Sequence, residues 1–247
     1  MPDTLVIQSH RRPLSCGWFE PCLESVAGWA ESRGFDYRFI DDDIFDLVDS
    51  ALRERFEARP AIISDLARLK ALQQGLEQGY RRVVWCDADL LIFAPRDLQL
   101  PNSAFALGRE VWIQPAADGG WRSYFRVHNA LLMFARGNAF LDFYADTAER
   151  LLRRNQGRMP PQFIGPKLLA ALHNIAQFPV IESAAMLSPP VMRDLLAGGG
   201  DALALFRRKS VEPPAAANLC ASLVHGEGFT AADMQQLIDR LLTTGIA

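Results

Sequence analysis

Val83-Val84-Trp85-Cys86-Asp87-Ala88-Asp89-Leu90-Leu91-Ile92-Phe93 is the stretch on which the fold turns. Its uninterrupted apolar flanks predict a central strand covered on both faces, as in a parallel sheet between layers of helices. Two carboxylates in its middle conflict with that burial. An ionised carboxylate in an apolar environment is costly unless it is paired or coordinates a cation, and two of them one residue apart repel. The conflict resolves if Asp87 and Asp89 lie at the carboxyl edge of the sheet, where α/β proteins bind their ligands. A divalent ion such as Mg2+ or Mn2+ satisfies both side chains, because hard cations take carboxylate oxygens and share their other positions with substrate phosphates. An apolar strand ending in Asp-x-Asp is therefore a candidate metal-diphosphate site. The alternative is a strand that has ended, with both side chains hydrated.

Upstream, Thr4–Ser9 reads as the first strand. Leu23, Val26, Ala27 and Ala30 recur at helical spacing over residues 20–33, with Gly34 as a stop, and Asp36–Ile40 alternates as a second strand. Strand, helix and strand in that order point to a parallel sheet with a right-handed crossover. Asp41-Asp42-Asp43 closes the second strand, either as a solvated turn that caps the next helix or as a contact to a nucleotide ribose. Pro60 opens a long helix over residues 60–78, on which Asp65 and Arg68 sit three apart. As a surface pair they would contribute only about 0.2 to 0.5 kcal/mol.

Downstream, residues 104–114 and 127–134 are expected as strands, 140–153 and 163–175 as helices, 178–181 and 221–225 as strands, and 230–242 as the final helix. Gly198-Gly199-Gly200 and the segment 213–217 read as flexible connectors. The expected class is α/β with a mostly parallel mixed sheet flanked by helices. No repeat or convincing boundary divides the 247 residues, so one domain is expected over 1–247.

A net charge of -3 leaves no face-wide basic excess to displace phosphate counterions, so nucleic acid is not an expected partner. The four cysteines show no CxxC pair or zinc-ligand spacing and are expected as reduced thiols. The start lacks the apolar core of a signal peptide and no stretch approaches the roughly 18 apolar residues of a spanning helix. A cytoplasmic location is expected, with peripheral membrane contact left open.

Ser64-Asp65-Leu66-Ala67-Arg68, followed after a helix by Val83-Val84-Trp85-Cys86-Asp87-Ala88-Asp89, resembles the GT-A glycosyltransferases that carry a DXD sugar-binding region. These include capsular-polysaccharide, mannosyltransferase-like and galactosyltransferase-like enzymes. The resemblance takes in Ile7-Gln8-Ser9-His10, His128-Asn129-Ala130-Leu131-Leu132-Met133 and Gly165-Pro166, in motif order over about the first two thirds of the chain. Gly79-Tyr80-Arg81-Arg82 stands where related chains often have Gly-Gly, and no Lys-Pro-Trp follows His225.

The resemblance implies a GT-A (Rossmann-like) fold and a metal-dependent hexosyltransferase. Such an enzyme moves a sugar from a UDP- or GDP-sugar to a hydroxyl of a glycan or other acceptor, with retention of configuration, in surface polysaccharide or glycoconjugate synthesis. It also implies roles. Asp89 would bind Mn2+ or Mg2+ directly, and Asp87 would contact metal or ribose. Asp65 and Arg68 would hold hydroxyls of the donor sugar, Arg68 also easing charge on the diphosphate, and Asn129 would face the transferred sugar. Gln8 and Ser9 would lie along the nucleoside, and His225 would complete the metal shell. Two other readings stay open: a nucleotide-sugar binding protein without activity, and a haloacid-dehalogenase-type phosphatase, in which the first aspartate of an Asp-x-Asp strand is the nucleophile.

Overall fold

A computed structural model describes residues 2–157, 159–160 and 162–246. Its central sheet starts with β1 (Thr4–Ser9), flanked by β2 (Asp36–Ile40) and β3 (Arg82–Cys86), both parallel to it. β6 (Trp121–Ala135) runs antiparallel between β3 and β5 (Phe105–Pro115), and β7 (Val180–Ile181) closes the edge parallel to β5. The order is β2-β1-β3-β6-β5-β7, with β6 alone reversed. This is the expected mostly parallel mixed sheet.

Side-chain alternation assigns each strand two buried faces. Leu5 and Ile7, Val83 and Trp85, Leu132 and Phe134 point toward α3 (Pro60–Glu77) and α4 (Ala139–Arg154). Val6, Val84, Cys86, Leu131 and Met133 point the other way, toward Val26 and Trp29 of α1 (Phe19–Ser32). A third cluster joins Val111 and Ile113 of β5 to α6 (Pro189–Ala197), α7 (Asp201–Lys209) and α9 (Ala231–Thr244) through Met192, Phe206 and Leu237. Helix starts carry their own signals. Pro60 fills the first turn of α3. Asn138 accepts the Phe140 and Leu141 N–H groups at the start of α4. A Thr230/Asp233 capping box opens α9.

The stretch Val83–Phe93 holds two strands, and this corrects the expectation of one. β3 ends at Cys86, the chain turns at Asp87-Ala88-Asp89 with Leu90 N–H donating to the Asp87 carbonyl at 3.0 Å, and β4 (Leu90–Ile92) enters a second sheet. There β4 pairs with β9 (Ala216–Asn218), which pairs in turn with β8 (Ala184–Met186). Carboxylates end a buried strand, and the apolar residues beyond them belong to a different neighbour.

Three late expectations are corrected too. Residues 221–225 form no strand: Ala221–Val224 is the short helix α8, and the strand is β9 just before it. Ala216 and Ala217 are fully buried in that strand, so the segment read as a flexible connector is held on both sides. The triple glycine is a tight corner between α6 and α7. A Cβ on Gly200 would lie 2.3 Å from the Asp194 carboxylate, whose Oδ2 accepts the Leu203 N–H at 2.9 Å. Among the described residues no helix is long and apolar enough to cross a membrane.

Candidate active site

A cleft of about 660 Å³ opens at the carboxyl ends of β1 and β3. Its walls include Ser9, Arg68, Trp85, Asp87, Asp89 and Ala221. Arg68 organises the floor. Its Nη1 donates to the Asn129 carbonyl at 2.9 Å and reaches Asp87 Oδ1 at 3.0 Å, while its Nη2 reaches Asp65 Oδ1 at 3.2 Å. Asn129 Nδ2 donates to the same Asp65 oxygen at 2.8 Å, and Trp85 Nε1 donates to Asp87 Oδ1 at 2.6 Å. The guanidinium carbon lies 5.2 Å from the Trp85 ring centre.

The i,i+3 pair on α3 is therefore no surface pair: Asp65 and Arg68 are both more than nine-tenths buried. Burial pushes the Asp65 pKa up to about 6, the Asp87 charge adding and Arg68 opposing. Burial alone would lower the Arg68 pKa, but Asp87 and Asp65 outweigh it and raise it. Gly165 lies against the pair: a Cβ there would sit 2.5 Å from Asp65 Oδ2 and 2.7 Å from Asn129 Nδ2. Glycine is what that approach requires. Asp65 and Asn129 thus stand behind Arg68, which with Asp87 faces the cleft.

Asp89 is held from the far end of the chain. Asn218 Nδ2 donates to its Oδ1 at 2.6 Å and the Ala221 N–H to its Oδ2 at 2.7 Å. Burial raises its pKa to about 6, the neighbouring Asp87 charge adding and the two hydrogen bonds opposing. Nothing in the sequence distinguished Asn218, which follows an alanine run read as a connector.

The remaining expected residues divide. Ser9 lines the cleft, its Oγ 3.5 Å from the Asp41 carbonyl. Gln8 is fully buried, donating to the Asp87 carbonyl at 3.1 Å and accepting from the Tyr37 hydroxyl at 3.0 Å, so it braces the dyad turn from behind. In the acidic cluster Asp41 caps the turn after β2 by accepting the Asp43 N–H, and Asp42 lines the cleft. His225 is exposed at the end of α8. The described residues contain no group of three or more His, Cys, Asp or Glu side chains suited to hold an ion.

No family model and no curated protein matches the chain. Among solved structures, it is similar to a glycosyltransferase involved in the glycosylation of the major capsid of PBCV-1. The TM-score is 0.50 at 11% identity, covering 96% of this chain and 99% of that one. The chain has a GT-A glycosyltransferase fold. Weaker likenesses within this fold are to the galactosyltransferase LgtC in complex with donor and acceptor sugar analogues (TM-score 0.45, 16% identity, 96% and 95% covered) and to the glycosyltransferase GlyE of Streptococcus pneumoniae TIGR4 (0.42, 10%, 100% and 64%).

Proposed function

We propose that the chain is a glycosyltransferase that moves a hexose from a nucleoside-diphosphate sugar to an acceptor hydroxyl, with Asp87 and Asp89 holding a divalent cation. The observation that carries this is the dyad at the carboxyl edge of the sheet, each carboxylate held by a different part of the chain and both facing one cleft. The donor set fits a hard ion: two adjacent carboxylates, the charge of one raising the pKa of the other, are relieved by a cation that keeps positions for phosphate oxygens. When bound, Mg2+ or Mn2+ supplies charge neutralisation for the diphosphate as it leaves.

The chain's own groups do the rest. Arg68 fixes Asp87 and adds positive charge to the cleft floor, where leaving-group charge develops. Ser9 and Asp42 mark the nucleoside end, at the tips of β1 and β2. Among the described lining residues the carboxylates are Asp42, Asp87 and Asp89. Asp87 is engaged by Arg68 and Asp89 by Asn218.

Calorimetric titration of UDP and GDP, each with and without Mn2+, tests the proposal. Mn2+-dependent binding of one nucleotide is expected and names the donor base, and transfer or slow hydrolysis of its sugar conjugates is then expected. Binding without turnover of any conjugate would leave a nucleotide-sugar binding protein. No binding of either nucleotide with metal would remove the dyad's assigned role.

A further inference from the structure

β5 and β6 outrun the sheet they belong to. β3 pairs with residues 131–135 of β6 and β7 with Leu107 and Gly108 of β5, so residues 109–115 and 121–127 continue as a two-stranded ribbon. One face of the ribbon is core: Val111 and Ile113 pack into the cluster that holds Phe206 and Leu237. The other face carries, in register, Glu110 opposite Arg126, Trp112 opposite Tyr124 and Gln114 opposite Arg122. Both rings are half-buried, and neither packs into the three apolar clusters of the described residues. The Arg126 guanidinium carbon lies 5.6 Å from the Tyr124 ring centre, and Arg122, exposed, faces the neutral Gln114. The inner end of this face adjoins the support of the cleft. One pair inward from Glu110, His128 donates to the Ala184 carbonyl at 3.1 Å, and Ala184 opens β8, which pairs with β9 and so with the segment that holds Asp89. Burial raises the pKa of the Cys220 thiol, and the charges of Asp89 and Glu110 both add to it; the next residue, Ala221, lines the cleft.

We infer that this ribbon face is the acceptor platform and that it takes an oligosaccharide bearing uronate carboxylates, its pyranose rings on Trp112 and Tyr124 and its carboxylates on Arg122 and Arg126. This rests on the sugar-transfer reading above. A pyranose has an apolar C–H face that an aromatic ring can cover and a rim of hydroxyls for the polar groups beside it. A guanidinium fork matches a carboxylate with two parallel hydrogen bonds. Arg122 and Arg126 flank Tyr124, each two residues and so about 7 Å away along the strand. A uronate carries its carboxylate on the ring itself, so a ring seated on Tyr124 keeps that group beside a guanidinium. The charge of the face is complementary: Arg122 and Arg126 are exposed, whereas its one carboxylate, Glu110, is buried.

The test is capture of the full chain on an array of neutral, uronate-bearing and phosphorylated oligosaccharides, then calorimetry of the strongest ligand, with Mn2+-dependent affinity for UDP or GDP as the internal reference. Expected is a preference for uronate-bearing chains, weakened about 30-fold in Trp112→Ala, as for an aromatic anchor, and about 10-fold in Arg122→Glu. Phe125→Ala, half exposed on the opposite face of the ribbon, is the control and is expected to leave capture as it is. Arg122→Glu alters an exposed side chain and decides the matter should Trp112→Ala fail to fold. No captured glycan, capture indifferent to Trp112→Ala and Arg122→Glu, or an equal loss in Phe125→Ala would overturn the platform, with nucleotide binding and the parent reading left standing. Preference for neutral or phosphorylated glycans would overturn the assigned ligand. A natural chain that sediments as a dimer, with Trp112→Ala a monomer, would give the face to a second copy and overturn the proposal. Absence of Mn2+-dependent nucleotide binding by the natural chain would instead sink the sugar-transfer reading and the acceptor role with it.

Discussion

Replacing Arg68 by methionine keeps most of its volume and removes its charge and donors. The Asn129 carbonyl loses a donor at 2.9 Å, Asp65 and Asp87 lose their shared cation, and the Trp85 ring loses the charge 5.2 Å from its centre. Asp87 retains the Trp85 N–H and is partly open to water, so it can rehydrate. Asp65 cannot, being buried with only the Asn129 amide left. Breaking a buried pair by removing one partner costs about 3 to 5 kcal/mol, and that is the expected loss for Arg68→Met at pH 7.5 in urea unfolding.

The sign with pH is set by Asp65. Its folded pKa, about 6 with Arg68 present, lies above the unfolded value, so the cost of its charge is present above the folded pKa and is relieved as pH falls through it. Arg68 opposes that rise, so in the variant the relief begins at higher pH, and the deficit against the natural chain shrinks between pH 8 and pH 5. Adding Asp65→Asn, which removes the charge and keeps an acceptor for Asn129, is expected to restore a large part of the loss. A deficit under about 1 kcal/mol, one that does not change with pH, or further loss on adding Asp65→Asn would refute the account of Arg68 as the counter-ion of a buried site.

Asp89→Ala is expected to abolish the Mn2+ dependence of nucleotide binding while the far-UV circular dichroism persists, since burial penalises the charge it removes; global unfolding would instead make Asp89 structural. Glu110, 6% exposed and pushed up to about 7 by burial against a weaker pull from Arg126, costs stability when ionised. Glu110→Gln should therefore stabilise by about 1 to 3 kcal/mol at pH 8, a gain that urea titrations should see vanish as pH falls toward 5. His128 has the opposite sign. Burial lowers its pKa to about 4, with Nδ1 accepting the Ala130 N–H and Nε2 donating to the Ala184 carbonyl. Its neutral form therefore contributes stability that is full above pH 6.5 and is lost toward pH 4, roughly 3 kcal/mol over that span. His128→Gln should flatten that limb of the stability curve, and an unaltered acid limb would exclude His128 as its source.

The parts legible in the sequence are those whose pattern is local. The apolar runs of β1 and β3 announced strands covered on both sides, and Pro60 announced α3. The i,i+3 spacing of Asp65 and Arg68 was visible, but its burial was not. That burial comes from Asn129, on a strand more than 60 residues later, and from the backbone of Gly165. Apolar character also carries no label for which sheet a strand joins, so β4 read as the end of β3. The alanines of β9 have weak strand propensity, and what holds them is pairing to β4 and β8, which no local pattern records.

The same reasoning explains why the dyad could be found and its environment could not. Asp87 and Asp89 are two residues apart, yet they are positioned by different ends of the chain. The Asp87 side chain takes its partners from Trp85 and Arg68, within twenty residues, while Gln8 and Ala130 hold its backbone. Asp89 takes its partners from Asn218 and Ala221, about 130 residues later. Periodicity and spacing describe the first kind of neighbourhood and are blind to the second. The histidine that the resemblance placed in the metal shell and the asparagine that holds Asp89 differ by seven positions, and it is the pairing of β9 with β4 that brings Asn218 to Asp89. A change in β9 packing is thus coupled to Asp89 and, through the shared cleft, to the ligand, while Asp87 keeps its own support.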